Sequence, residues 1–208
     1  MISELVLTRE EILDKLAKAI EIHENISSFV GTRLCDHCES AQDEWAVKRE
    51  KITQKLKGLV SKYEFAKTLP RNDLGIAVLA ILNYIVKIQH TFSQLIIMID
   101  MIRGESFGDV YMDSMNSIST KTHEQLKTLK ELTEKQKDDP EAALECLQTI
   151  LKLERQVDED NIVICRQISV ITQEEDAGYT CYIMRKIVSE LEHISDFIKE
   201  AAEIIVDI

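Results

Sequence analysis

The stretch KIVSELEHISDFIKEAAEIIVDI (residues 186–208) decides how the rest of the chain is interpreted. Its apolar residues recur at alternating intervals of four and three, which is the spacing of one stripe along an amphipathic helix. The stripe consists of Ile187, Leu191, Ile194, Ile198, Ala201 and Ile205. At about 100° per residue, Glu192, Asp196 and Glu203 project from the roughly opposite side. The segment therefore predicts a helix with one face packed on other helices and one acidic face.

Composition predicts an all-α protein. Hydrophobic residues make up 45% of the 208 positions, which is enough for a core, whereas six glycines, two prolines and 5% aromatics are few for a sheet protein. The net charge of −12 repels phosphate backbones, so we expect no nucleic-acid partner. The most apolar stretch, residues 74–102, is interrupted by polar side chains, and we expect a core helix without membrane insertion.

The cysteines and the N-terminus favour the cytoplasm. Five cysteines are odd in number and lie mostly among helical apolar positions, unlike a disulfide framework. The first residues, MISELVLTREE, lack the basic and apolar regions of a signal peptide. We therefore expect a reduced, cytoplasmic protein.

Helix signals along the chain predict six long helices. They are capping residues, prolines and glycines that separate periodic apolar segments. The expected boundaries are Thr8 and Gly31 around the first helix, Pro70 after the second, Gly104 after the third, about Lys137 and Pro140 between the fourth and fifth, and about Ile171 and Glu174 between the fifth and sixth.

The turn at residues 104–109 is the best internal boundary, with three helices on each side. We expect two tandem antiparallel three-helix bundles, residues 1–105 and 106–208, that form one compact unit. The third helix, apolar nearly all round at both ends, should be the most enclosed of the first three, and His90 within it should be a core histidine.

Three of the predicted helices carry a Glu followed four residues later by an Asp. The pairs are Glu39 with Asp43, Glu154 with Asp158, and Glu192 with Asp196. Each pair shares one helix face, and its repulsion is relieved if a hard or borderline metal ion bridges the carboxylates. In a chain with 37 acidic residues several such pairs arise by chance, so the spacing alone is weak evidence.

Helix five adds a second clue. Its apolar row of Leu147, Ile150, Val157, Ile164, Ile168 and Ile171 would be completed by Glu154 and Asn161. A carboxylate in a packing row is either a polar residue paired across the bundle or a metal ligand.

Other candidate sites are incomplete. Cys35 and Cys38 form a CxxC motif without a second zinc-ligand pair, and Glu190 with His193 is a single ExxH where ferritin-like di-metal proteins need two. No phosphate-binding loop, nucleophile elbow or HExxH motif is present, so we expect no enzyme activity.

Three segments together resemble the PhoU-type helical proteins. LEHISDFIKEAAEII (residues 191–205) and LERQVDEDNI (residues 153–162) resemble the family's two acidic helix motifs. FAKTLPRNDLGIAVLAILNYIVKI (residues 65–88) resembles the proline turn and following helix of the branch that accompanies Pit-type phosphate transporters. The resemblance implies tandem three-helix bundles in a cytoplasmic, non-enzymatic regulator of inorganic phosphate uptake, located at the membrane through a transporter.

The resemblance also implies a surface metal, iron or another divalent ion, held by ExxxD carboxylates. Carried over by residue, it points to Glu154, Asp158, Glu192 and Asp196 in the second half. In the first half, Glu39 and Asp43 match the spacing less well, because they lie about two turns farther from Pro70 than the family places them. Helix three carries Lys87, Gln89 and His90 where acidic residues are expected.

The implied partner is a Pit-type transporter or a signalling protein, bound by protein contact, and a homo-oligomer is left open. Two other functions fit the same residues. One is a ferritin-like metal-binding or oxidase bundle, and the other is a structural helical scaffold with solvated acidic faces.

Overall fold

The computed structural model describes residues 6–35, 42–102, 109–174 and 178–208, and this part of the chain forms six α-helices and one 3-10 turn. The all-α prediction is therefore confirmed. The helices are α1 (Arg9–Cys35), α2 (Gln42–Lys62), α3 (Asp73–Met101), α4 (Asp109–Lys135), α5 (Pro140–Glu174) and α6 (Gly178–Val206), with the 3-10 turn at Glu64–Thr68 between α2 and α3.

Local sequence signals explain three of the helix starts. Thr8 and Glu11 form the predicted capping box, since the Thr8 amide donates to Glu11 Oε2 at 2.9 Å and the Glu11 amide donates to Thr8 Oγ1 at 3.3 Å. Asn72 caps α3 by accepting a hydrogen bond from the Gly75 amide. Pro140 occupies the first position of α5, as predicted.

Three predicted helix boundaries differ from the structure. The first helix continues through Gly31 to Cys35. Gly31 lies where α1 approaches α4, since a Cβ there would be 3.3 Å from Ser119 Oγ. The fifth helix runs to Glu174, and α6 begins at Gly178 and not near Glu174.

The most extensive helix contacts are those of α4 with α5, α1 with α4, and α3 with α6. Two of these three pairs join the first half of the chain to the second, and one continuous apolar core includes residues of all six helices. The chain ends add polar links, because Arg9 donates to the Gln136 carbonyl oxygen at 2.6 Å and Gln136 donates to the Val206 carbonyl oxygen at 3.0 Å. The division into bundles at residue 105 stays a prediction.

Helix α3 is less enclosed than its sequence suggested. Its buried side faces α1 and α6, but Ile76, Leu79, Ile97 and Met101 are all more than half exposed. The prediction for His90 was wrong, since this residue is exposed and the buried histidine of the described core is His23 on α1. By length and composition, α3 is also the one described helix that could cross a membrane.

Candidate functional site

The seam between α5 and α6 brings the second-half acidic motifs together. The predicted packing row of α5 is buried at Leu147, Ile150, Val157, Ile164 and Ile168. Glu154 lies in that row and is only 8% exposed, whereas Asn161 is half-buried. A carboxylate at this depth requires a compensating positive charge or hydrogen-bond donors.

Lys199 on α6 supplies that compensation. Its Nζ atom donates to Glu154 Oε1 at 2.8 Å across the seam, and this hydrogen bond raises the pKa of the Lys199 ammonium group. Sequence reasoning did not single out Lys199. The available signal was its position three residues after Asp196, which places both side chains on the same side of the helix.

Three of the four predicted carboxylates form one close group. One oxygen atom from each of Glu154, Asp158 and Asp196 lies within 4.8 Å of the others. Glu192 is not a member of this close group, although its charge interacts with all three. The structure therefore joins the acidic motifs of two helices that are about 40 residues apart in sequence.

Burial and mutual repulsion both act on these groups. Burial is the main cause that raises the pKa of Asp158, Asp196 and Glu192, and the neighbouring carboxylates raise it further. Lys199 acts in the opposite direction on Asp158 and Asp196. The cluster therefore holds more negative charge than Lys199 neutralises, which is the electrostatic condition for attracting a further cation.

The donor set fits a divalent ion. Oxygen atoms that share one ion at about 2.0–2.6 Å lie no more than about 4–5 Å apart, and carboxylates suit hard cations. Glu154, Asp158 and Asp196 would be the ligands, with Glu192 beside them. Lys199 already binds the Glu154 carboxylate, so it would compete with a divalent ion for this ligand.

The remaining predicted site residues are not brought into this group. Glu39 and Cys38 lie outside the described residues. Asp43 lies near the start of α2, and its side chain is also outside what the structure describes. His193 Nδ1 lies 3.3 Å from Glu190 Oε2, which is a local contact within α6.

On α3, the positively charged side chain of Lys87 lies in the region where the resemblance implies acidic residues. The Lys87 ammonium lies 4.9 Å from the ring centre of Tyr84 and 5.2 Å from that of Phe197 on α6. The Tyr84 hydroxyl donates to Glu200 at 3.4 Å. At this position the seam between α3 and α6 carries aromatic and cationic contacts, where the seam between α5 and α6 carries carboxylates.

These features define the class of protein as a six-helix bundle with a carboxylate cluster between its last two helices. The structure is similar to the crystal structure of PhoU from Pseudomonas aeruginosa, with a TM-score of 0.73 and 12% sequence identity. The similarity covers 95% of this chain and 94% of the PhoU chain, so the PhoU-like fold is confirmed. No protein-family model matches the sequence, and a comparison with curated proteins gives no match.

Proposed function

We propose that this protein is a non-enzymatic regulator of inorganic phosphate transport that acts by protein contact with a membrane transporter of the Pit type. The observation that carries the proposal is the similarity to PhoU, which extends over nearly the full length of both chains. The segment at residues 65–88, which resembles the Pit-associated branch, forms the proline turn and the first half of α3. The protein would act in the cytoplasm and reach the membrane through the transporter.

The proposed mechanism uses the α5–α6 cluster as a cation-dependent surface. A divalent ion on Glu154, Asp158 and Asp196 would neutralise repelling carboxylates and change the charge that this surface presents to a partner. Because burial raises the pKa of Asp158 and Asp196, protons compete with the metal, and affinity should fall as the pH falls through those raised values. Lys199 also competes with the metal, because it pairs with the Glu154 carboxylate.

Phosphate uptake in cells tests the transport role. Deleting the gene should change the rate of radiolabelled phosphate uptake, and the native gene should restore it. The protein should also co-purify with a phosphate transporter from solubilised membranes. An unchanged uptake rate together with no transporter in the purified material would refute the proposal.

Metal content tests the role of the cluster separately. Native protein purified without chelators should contain a stoichiometric divalent metal, measured by mass spectrometry, and the Asp158→Asn, Asp196→Asn double variant should lose it. Glu203→Gln is the control, since Glu203 is an exposed acid on α6 outside the close group. Equal metal in all three proteins would place the ion elsewhere, and metal in none would reduce the cluster to a packing contact.

A further inference from the structure

The seam between α2 and α3 is open, unlike the seam between α5 and α6. A groove of about 860 Å³ separates α2 from α3, with the buried side chains Leu56 and Ile96 at its base. Val47, Val60 and Ile97 line the groove and are each more than half exposed. Apolar side chains that line a concave groove are a typical surface for binding a helix.

Polar contacts hold the two helices at each end of this groove. At one end Arg49 on α2 pairs with Asp100 on α3. At the other end Gln89 on α3 donates to the Leu56 carbonyl oxygen at 2.9 Å and accepts from the Tyr63 hydroxyl at 2.9 Å. The apolar middle thus remains accessible while its ends are fixed, so the groove exists before any partner binds.

The charge of α2 indicates what the partner carries. Helix α2 (Gln42–Lys62) includes six basic residues and three acidic residues, a net charge of +3, in a chain whose net charge is −12. The groove lining itself carries Arg49 and Lys57 together with Glu50 and Asp100, and the surplus of positive charge comes from the exposed lysines along α2, which are Lys48, Lys51, Lys55 and Lys62. This concentration of positive charge beside an apolar groove is complementary to an acidic amphipathic segment.

The length of the groove indicates the form of the partner. From Val47 to Val60 the helix rises about 20 Å, which matches about four turns of a docked helix. In the second half of the chain a helix of the protein itself, α5, packs closely along α6. A partner helix in the groove would pack along α3 as α5 packs along α6.

We propose that the groove between α2 and α3 binds an acidic amphipathic helix of a partner protein, with its apolar face on Val60 and Ile97 and its carboxylates on Lys57 and the neighbouring α2 lysines. The proposal concerns a surface distant in sequence from the carboxylate cluster. It does not depend on the transport role, so either can fail without the other.

The test uses a fluorescently labelled synthetic peptide of about 14 residues, with leucines on one helical face and glutamates beside them. Fluorescence anisotropy with the full-length protein should give a dissociation constant in the micromolar range that weakens as salt is added. Circular dichroism should show helix formation by the peptide on binding. Absence of binding at low salt would overturn the proposal.

Matched variants locate the binding surface. Val60→Glu should weaken binding by at least about tenfold, because it places a carboxylate in the groove against the acidic peptide. Val170→Glu is the control, since Val170 is a similarly exposed valine on α5 away from the groove. Equal binding by the two variants, with both retaining the native circular dichroism spectrum, would overturn the proposal.

Two further probes distinguish the proposed acidic helix from other possible occupants of the groove. A scrambled peptide of the same composition should bind at least about tenfold more weakly, and equal binding would indicate charge attraction without use of the groove. Phosphatidylglycerol vesicles that bind in a Val60-dependent way while the peptide does not would assign the surface to a membrane. Self-association lost in Val60→Glu, again without peptide binding, would assign it to a second copy of the chain.

Discussion

The two seams of the molecule use apolar and charged residues in opposite ways. Between α5 and α6 the helices are in close contact, and the charged residues Glu154 and Lys199 meet inside the seam. Between α2 and α3 the apolar residues line an open groove, and polar residues join the helices at its ends. The comparison teaches that two helix pairs of one bundle can differ in packing, since one pair is closed around a charge pair and the other leaves an apolar groove.

The largest expected effect is a difference between the two seams in the free energy of unfolding that a core truncation costs. Ile194→Ala on α6 should lower the free energy of unfolding by about 2–5 kcal/mol, because it leaves a cavity in a fully buried site. Ile52→Ala on α2 should cost less, roughly 1–2 kcal/mol, because α2 has few neighbours. Urea denaturation measures both values, and equal costs would show that α2 is as firmly packed as α6.

The second effect is the pH dependence of stability that comes from His23, the buried histidine of α1. Burial lowers the pKa of His23 to about 4, so between about pH 6.5 and 4 the unfolded chain binds a proton that the folded chain does not. His23 therefore lowers stability as the pH falls through this window, by roughly 3 kcal/mol in total.

Denaturation at several pH values tests the role of His23. His23→Met should show a weaker loss of stability on acidification than the native protein. Asp158 and Asp196 act with the opposite sign, because their raised pKa values make the folded chain bind more protons, and their contribution decreases stability as the pH rises. An unchanged pH profile in His23→Met would contradict the buried, neutral histidine.

The third effect tests the charge pair inside the second seam. Lys199→Gln should reduce stability by about 1–3 kcal/mol, because Glu154 is left buried without its ammonium partner. Lys127→Gln, which breaks an exposed pair with Glu124, should change it by no more than about 0.5 kcal/mol. If a divalent ion uses the same carboxylates, adding it should raise the melting temperature of Lys199→Gln more than that of the native protein. An equal rise in both would mean that Lys199 does not compete with the ion.

The smallest effect concerns Gly58 on α2. A Cβ at this position meets no atom within 4 Å, so Gly58→Ala should stabilise the protein by about 0.5–1 kcal/mol through the greater helix propensity of alanine. At Gly75 the same change should destabilise the start of α3, since the Cβ would lie 1.9 Å from the Pro70 carbonyl oxygen. Thermal unfolding measures both. A loss of stability in Gly58→Ala would mean that the outer face of α2 is covered.

The sequence alone determined the helical class, the starts of α1, α3 and α5, and the acidic motifs. These features are local, because periodic apolar residues and capping side chains act within a few turns of their own position. The buried row of α5 and the unusual place of Glu154 within it followed from the same periodicity.

Only the tertiary structure decided which helices meet and what lies between them. Lys199 reaches Glu154 because α5 and α6 pack side by side, and Gly31 lies inside α1 at a close approach to Ser119 on α4. His23 is buried, His90 is exposed, and α3 keeps an open face beside α2. Helical periodicity identifies an apolar face, but the neighbour that covers it lies far away in the sequence and depends on how all six helices pack.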